Sequence, residues 1–352
     1  MNVHPGEGMH DVLTALREFV LPLRDRLGVT GPFAVGLRLA ARAIEEGRIG
    51  ELKSFLHAHD LVAVTVNAFP LGDFHGARVK EQVYAPDWTT DERVDYTLGV
   101  ARALAELNPA GSDVSLSTVP ISFKPWKADV AEAARRLTMV ALKLADLENE
   151  TGVRVRVALE PEPFCTLETA REMEQFWKHE LMPSVYLGVC PDTCHHAVRW
   201  ESGADALDLY RAAGIPIPKI QLSSALEADR MEQLLPFAEP RYLHQVVARD
   251  GTELLDLADV EIAGPLRCHF HVPVHKETVG DARTTRSEMV ACLDRAWSTN
   301  ATTCLEIETY TWDVLPRLEG ELREGELIDS LEAEYRFVIE QIESSARRSQ
   351  GS

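Results

Sequence analysis

Residues 153–164 read VRVRVALEPEPF, and this stretch decides the fold. Val153, Val155 and Val157 alternate with Arg154 and Arg156, and Ala158 and Leu159 follow. A β-branched run of this kind predicts a strand buried on at least one face. Pro161 and Pro163 end it, because proline cannot donate a ladder hydrogen bond. Glu160 and Glu162 therefore stand at the C-terminal end of a buried strand. In a (β/α)8 barrel that end is where the chemistry is built. A structural ion pair would also gather charge at a strand end. Repetition favours the barrel, since other strands of this chain end in the same way.

Working outward, residues 127–151 carry Val130, Ala134, Leu137, Val140 and Leu144 on one side of a long helix. On the other side, a helix at 166–180 leads to a strand at 185–190 that ends in PDTCHH. A helix at 203–213 precedes a strand at 217–222 ending in Gln221-Leu222-Ser223-Ser224. Towards the N-terminus, strands are predicted at 32–39, 61–67 and 114–118, with helices at 11–27, 40–58 (broken at Gly50) and 90–108. Towards the C-terminus, a helix at 285–298, a last strand at 303–308 and a closing helix at 325–345 complete the alternation.

Strand and helix in alternation imply a parallel sheet with right-handed crossovers. Eight such units in 352 residues suit a TIM barrel. An open doubly wound sheet is the alternative, but no GxGxxG follows an early strand. The rhythm breaks at 241–274, where YLHQVV and RCHFHVPV lack a crossover helix between them, so a hairpin-like excursion is predicted at the barrel mouth. The first strand is expected to be short or missing, because His4-Pro5-Gly6-Glu7 reads as a loop with almost no chain before it. The next strand would then have an open flank. The N-terminal segment or a partner chain, as in a homo-oligomer, is expected to cover it. One domain is expected over residues 1–345, with a disordered tail at 346–352.

The chain carries 36 basic and 56 acidic residues, a net charge of -20. A nucleic-acid binder would show the opposite sign or a basic stripe, and neither is present. No apolar run reaches membrane-spanning length, and the N-terminus has no apolar signal core. The six cysteines form no CxxC pair and no disulfide framework, which predicts reduced thiols in a cytoplasm.

Four strand ends carry candidate metal ligands: Glu160, Asp192, Gln221 and Glu308. Carboxylates with a carbonyl or imidazole suit Mn²⁺, Mg²⁺, Co²⁺ or Zn²⁺. Asp192 in a Pro-Asp-Thr turn would equally well cap a helix. Glu306 and Glu308 point the same way, and only Glu308 is far enough along its strand to reach the mouth. His195 follows Asp192 closely enough to face the same cavity, and His269 and His271 share one face of the excursion. Lys124 is a candidate to bind an anionic group and Trp312 to stack on a sugar.

The motifs LEPEP, PDTCHH, KIQLSS and ETYTW resemble those of the xylose-isomerase-like TIM barrels, the sugar-phosphate isomerase/epimerase superfamily. A closer resemblance, through NVHPGE, GLRLAARA, NAFPLGDFHG, VYAPDW, STVP, RCHFHVPVH and ETYTWDVLP, is to the EboE-type metabolite-traffic proteins. The superfamily resemblance implies metal ligation by Glu160, Asp192 and Glu308, with Gln221 standing where a histidine is usual. It implies an aldose–ketose isomerase or epimerase acting on a small polyhydroxylated substrate, with Glu160 and Glu308 moving a proton and His195 holding a substrate hydroxyl. Separately, His271, just before the break at Pro273, is expected to reach the cavity and either supply the missing metal nitrogen or contact the substrate, the alternative being a hydrogen bond within the excursion. A non-catalytic metabolite carrier that keeps the same pocket is the alternative.

Overall fold

The structure, a computed structural model, describes residue 4 and residues 6–72, 79–258, 260, 262, 264–312, 314–315 and 324–350. The expected first strand, before His4, lies outside the described residues.

The chain opens with α1 (Met9–Ala15), which runs through a wider turn at 16–20 into α2 (Leu21–Leu27). There follow β1 (Phe33–Arg38), α3 (Ala41–Glu45), α4 (Ile49–Ala58), β2 (Leu61–Asn67), α5 (Asp91–Leu107), β3 (Asp113–Thr118) and α6 (Val130–Thr151). Then come β4 (Arg154–Leu159), α7 (Ala170–His179), β5 (Leu187–Val189), α8 (Thr193–Val198), α9 (Gly203–Ala212) and β6 (Ile220–Leu222).

Strands β1 to β5 form a parallel sheet in chain order. A parallel bridge between Asp192 and Gln221 carries it on to β6. β6 then pairs in parallel with the last strand, Leu305–Ile307. The Glu306 carboxylate of the last strand lies against Gly36 of β1, and the architecture is the TIM-barrel type. The helices wrap the outside with their ends fixed by local chemistry. Asp129 caps α6 through the amides of Ala131 and Glu132. Thr169 and Glu172 form a capping box on α7. Inside, Val155, Val157, Leu116 and Val189 are fully buried in the main apolar core.

The excursion is larger than the sequence suggested. It carries β7 (Leu226–Ala228), β8 (Val246–Ala248), β9 (Glu253–Leu254), β10 (Leu266–Cys268), β11 (Thr278–Val279) and β12 (Ala282–Thr284), all before α10 (Arg286–Thr299) and β13, the last strand. These six make an antiparallel sheet in the order β11-β12-β7-β10-β8-β9, with an apolar cluster of its own around Phe237 and Phe270. Its strands are two or three residues long, too short for an alternating pattern to register. The closing helix, α11, spans Glu324–Gln350. Residues 346–350, read from sequence as a disordered tail, continue that helix, and Arg348 pairs with Asp294 of α10 at 2.6 Å.

Candidate metal centre

The parallel strands deliver the candidate ligands to one point. Glu160 is the first residue after β4, and Asp192 follows β5 and caps α8 by accepting the His195 amide at 2.9 Å. Gln221 sits in β6, register-paired with Asp192, and Glu308 follows β13. Oxygens of Glu160, Asp192 and Glu308 all lie within 4.8 Å of one another. None of the four residues is more than 5% exposed. Glu306, two residues earlier on β13, pairs instead with the buried Lys219.

Three anionic side chains buried this closely are costly unless something positive joins them. Burial, with Glu308 and Asp192 nearby, pushes the Glu160 carboxyl well above its ordinary range. Burial also pushes Asp192 up, but His195, His271 and the Ser223 hydroxyl outweigh it and hold it below its ordinary value. Glu160 Oε2, Asp192 Oδ2 and both polar atoms of the Gln221 amide have no hydrogen-bond partner among the described residues. Buried polar atoms are seldom left this way, and unpartnered oxygens on carboxylates clustered this closely fit a hard divalent cation. Glu308 is positioned by Asn67, whose amide donates to Oε1 at 2.9 Å.

Above these groups opens a cavity lined by Glu160, Glu162, Glu308, His195, His269 and His271, with Arg38, Lys80, Tyr84 and Tyr310 further round. Glu162 accepts from the Tyr84 hydroxyl at 2.7 Å, and burial lifts its carboxyl to about 8. Burial likewise drives His195 down to about 4, so this ring is neutral near pH 7.

The two remaining sequence candidates lie elsewhere. Lys124 is half exposed and pairs with Glu168, and Trp312 is buried beside Glu334 on α11. Neither lines the cavity. Sequence reasoning gave no role to Asn67, Tyr84 or Gln245. Asn67, as the polar last residue of an apolar strand ending at the mouth, carried the only signal.

Residues 28–257 match the family model described as xylose isomerase-like TIM barrel. Among solved structures, an L-ribulose 3-epimerase aligns at 12% identity with a TM-score of 0.55, covering 99% of this chain and 94% of that one. D-psicose 3-epimerase with D-tagatose, from Clostridium cellulolyticum H10, aligns at 14% identity with a TM-score of 0.52, covering 93% of each chain. The IOLI protein with a binding zinc atom aligns at 11% identity and a TM-score of 0.52, covering 92% of each. At these identities the likeness is one of fold. No curated protein sequence matches the chain.

Proposed function

The chain belongs to the xylose isomerase-like TIM barrel family, and on that premise we propose that it is a divalent-metal-dependent isomerase or epimerase acting on a small polyhydroxylated metabolite. One observation carries the reading: buried oxygens of Glu160, Asp192 and Glu308 converge, and Gln221, in register with Asp192 on the next strand, has a buried amide without a partner. The sugar epimerases that share the fold support the substrate class.

Glu160, Asp192 and Glu308 would hold Mn²⁺, Mg²⁺, Co²⁺ or Zn²⁺ through carboxylate oxygens, and Gln221 through its carbonyl. Held there, such an ion would supply Lewis-acid polarisation and offset negative charge developing on the substrate. The chain's own residues do the rest. Glu160 and Glu308 take a proton from a carbon beside the substrate carbonyl and return it, to the neighbouring carbon or to the opposite face. Their carboxyls are 2% and 5% exposed, which limits proton loss to bulk water. Asn67 fixes Glu308, and the Tyr84–Glu162 pair offers hydrogen bonds to further hydroxyls. His195 and His271 face the same substrate from the cavity wall.

A second reading, a metabolite-binding protein of the EboE type without turnover, is favoured by Gln221. A neutral amide carbonyl is a weaker donor to transition metals than the imidazole usual there. Either protein would work in a cytoplasm, with its six cysteines as free thiols. No helix among the described residues is long and apolar enough to cross a membrane.

The two readings separate in D₂O. Mn²⁺-loaded protein is incubated with ketopentoses, ketohexoses and their phosphate esters, and NMR follows exchange at the carbon beside the carbonyl. Exchange that stops in Glu160→Gln and Glu308→Gln supports the enzyme. A sugar that binds with neither exchange nor conversion to an epimer or isomer supports the carrier.

A further inference from the structure

The cavity over Glu160 and Glu308 has a second lining that the chemistry above does not use. Phe69, Val79, Val83, Tyr242, Leu243 and Tyr310 all border it. Val79, Tyr242 and Tyr310 form an apolar cluster of their own, with Val83 packed against it, separate from the barrel core and from the core of the excursion. The Tyr242 and Tyr310 rings meet edge to face, their centroids 5.3 Å apart. Three distant parts of the chain supply this cluster: the short helical turn around residues 80–84, the excursion, and the segment after β13. Apolar side chains gathered at a cavity rather than in a core are a contact surface for a ligand.

The cations of the cavity are already committed to the protein. Among the described residues, the lysine and arginine that line it are Lys80 and Arg38. The Lys80 ammonium donates to the Glu239 carbonyl at 3.1 Å, to the Tyr242 carbonyl at 2.5 Å and to the Asp256 carboxylate at 2.5 Å. An ammonium has three hydrogens, so these acceptors take them all. The Arg38 guanidinium pairs with Glu7 at 2.7 Å and donates to the Gly6 and Gly72 carbonyls at 2.9 and 2.8 Å. The histidines of the wall are buried, and burial favours the neutral ring. Against these stand Glu160, Glu162 and Glu308, with Asp192 beside them. A divalent ion would offset only two of the three charges on Glu160, Asp192 and Glu308. A phosphate ester would bring about 1.5–2 further negative charges into this setting. Like charges repel strongly where water is excluded, so the cavity rejects a phosphate.

A ligand here meets carboxylates and imidazoles at one side and an apolar wall at another. A sugar hydroxyl pressed on that wall gives up water and gains no partner. An apolar group gains in proportion to the area it buries. We propose that the substrate of this cavity is uncharged and amphiphilic: a hydroxyketone or polyol head at Glu160 and Glu308, carrying an alkyl or aryl substituent, in place of a phosphate, that lies against Val79, Val83, Tyr242 and Tyr310. The head rests on the isomerase reading. The apolar preference does not, because a carrier would use the same wall.

Calorimetry on full-length, Mn²⁺-loaded protein compares three ligands with one head: D-fructose, D-fructose 6-phosphate and 6-O-hexyl-D-fructose. The hexyl ether should bind at least about tenfold tighter than fructose, since each buried methylene contributes about fourfold and two suffice. The phosphate should bind more weakly than fructose, and added salt should narrow that difference. Val83→Asn places a polar group in the wall and should at least halve the preference for the hexyl ether. Should Val83→Asn fail to fold, the wild-type affinities decide alone. The phosphate binding tightest, the hexyl ether binding no tighter than fructose, or a preference undiminished in Val83→Asn would each overturn the inference. So would binding of none of the three, because the wall alone should retain a hexyl chain. Proton exchange in D₂O, read on the same samples, keeps the two claims apart. The hexyl ether bound tightest without exchange leaves this inference standing without the isomerase reading. Exchange with the phosphate bound tightest upholds that reading and overturns the inference.

Discussion

Glu334 is the buried acid that ties the closing helix to the site, and Glu334→Gln tests what that costs. It is 0% exposed. Its Oε1 accepts from the Thr309 hydroxyl at 2.6 Å and from the Val274 amide at 3.0 Å. Those two residues follow Glu308 and His271 closely in the chain, so the contact steadies the carboxylate cluster and the cavity wall beside it. Burial lifts the carboxyl from 4.5 to about 7. At about 1.36 kcal/mol per pH unit, that displacement is worth about 3 kcal/mol. The folded chain binds this proton more tightly than the unfolded one. The resulting stability is therefore complete below pH 4.5 and is lost as the pH rises through about 7. Glutamine keeps the shape and the acceptor and removes the titration. Urea unfolding of chelator-treated protein from pH 5 to pH 8 should show the variant gaining on wild type as the pH rises. The advantage should level off near 3 kcal/mol above pH 7 (about 2.5 pH units times 1.36). Parallel stability curves across that range would refute the reasoning.

Asn67→Ala removes the buried donor to Glu308 Oε1 and should cost about 1–3 kcal/mol in urea unfolding; an unchanged midpoint would mean that the bond contributes nothing. Gln221→His supplies an imidazole to the carboxylate site and should tighten Co²⁺ binding by about tenfold or more in calorimetry, because imidazole is the better donor. Equal affinities would place residue 221 outside the coordination shell.

The barrel core was legible because β4 and its neighbours are apolar β-branched runs cut off by proline or polar residues, a pattern set within six or seven residues. Glu160 was legible for the same reason, since it stands directly after such a run, and Asp192 and Glu308 because each lies within three residues of a short strand's end. Asp192 shows that two readings of one residue can both hold, because Oδ1 serves the helix cap and Oδ2 remains for the site. The antiparallel excursion was underestimated because its strands are too short to show a period. The meeting of His195 with His269 joins residues 74 apart in the chain, and no local pattern records such a contact. Lys124 looked available at a strand end, but Glu168, 44 residues on, occupies it.

Mn²⁺ soaked into crystals of the wild-type chain and located by anomalous scattering tests the central claim most directly. The account predicts a peak bonded to oxygens of Glu160, Asp192 and Glu308, with the Gln221 carbonyl at the fourth side, and its loss in Glu308→Gln. An empty carboxylate cluster under saturating Mn²⁺ would contradict the account.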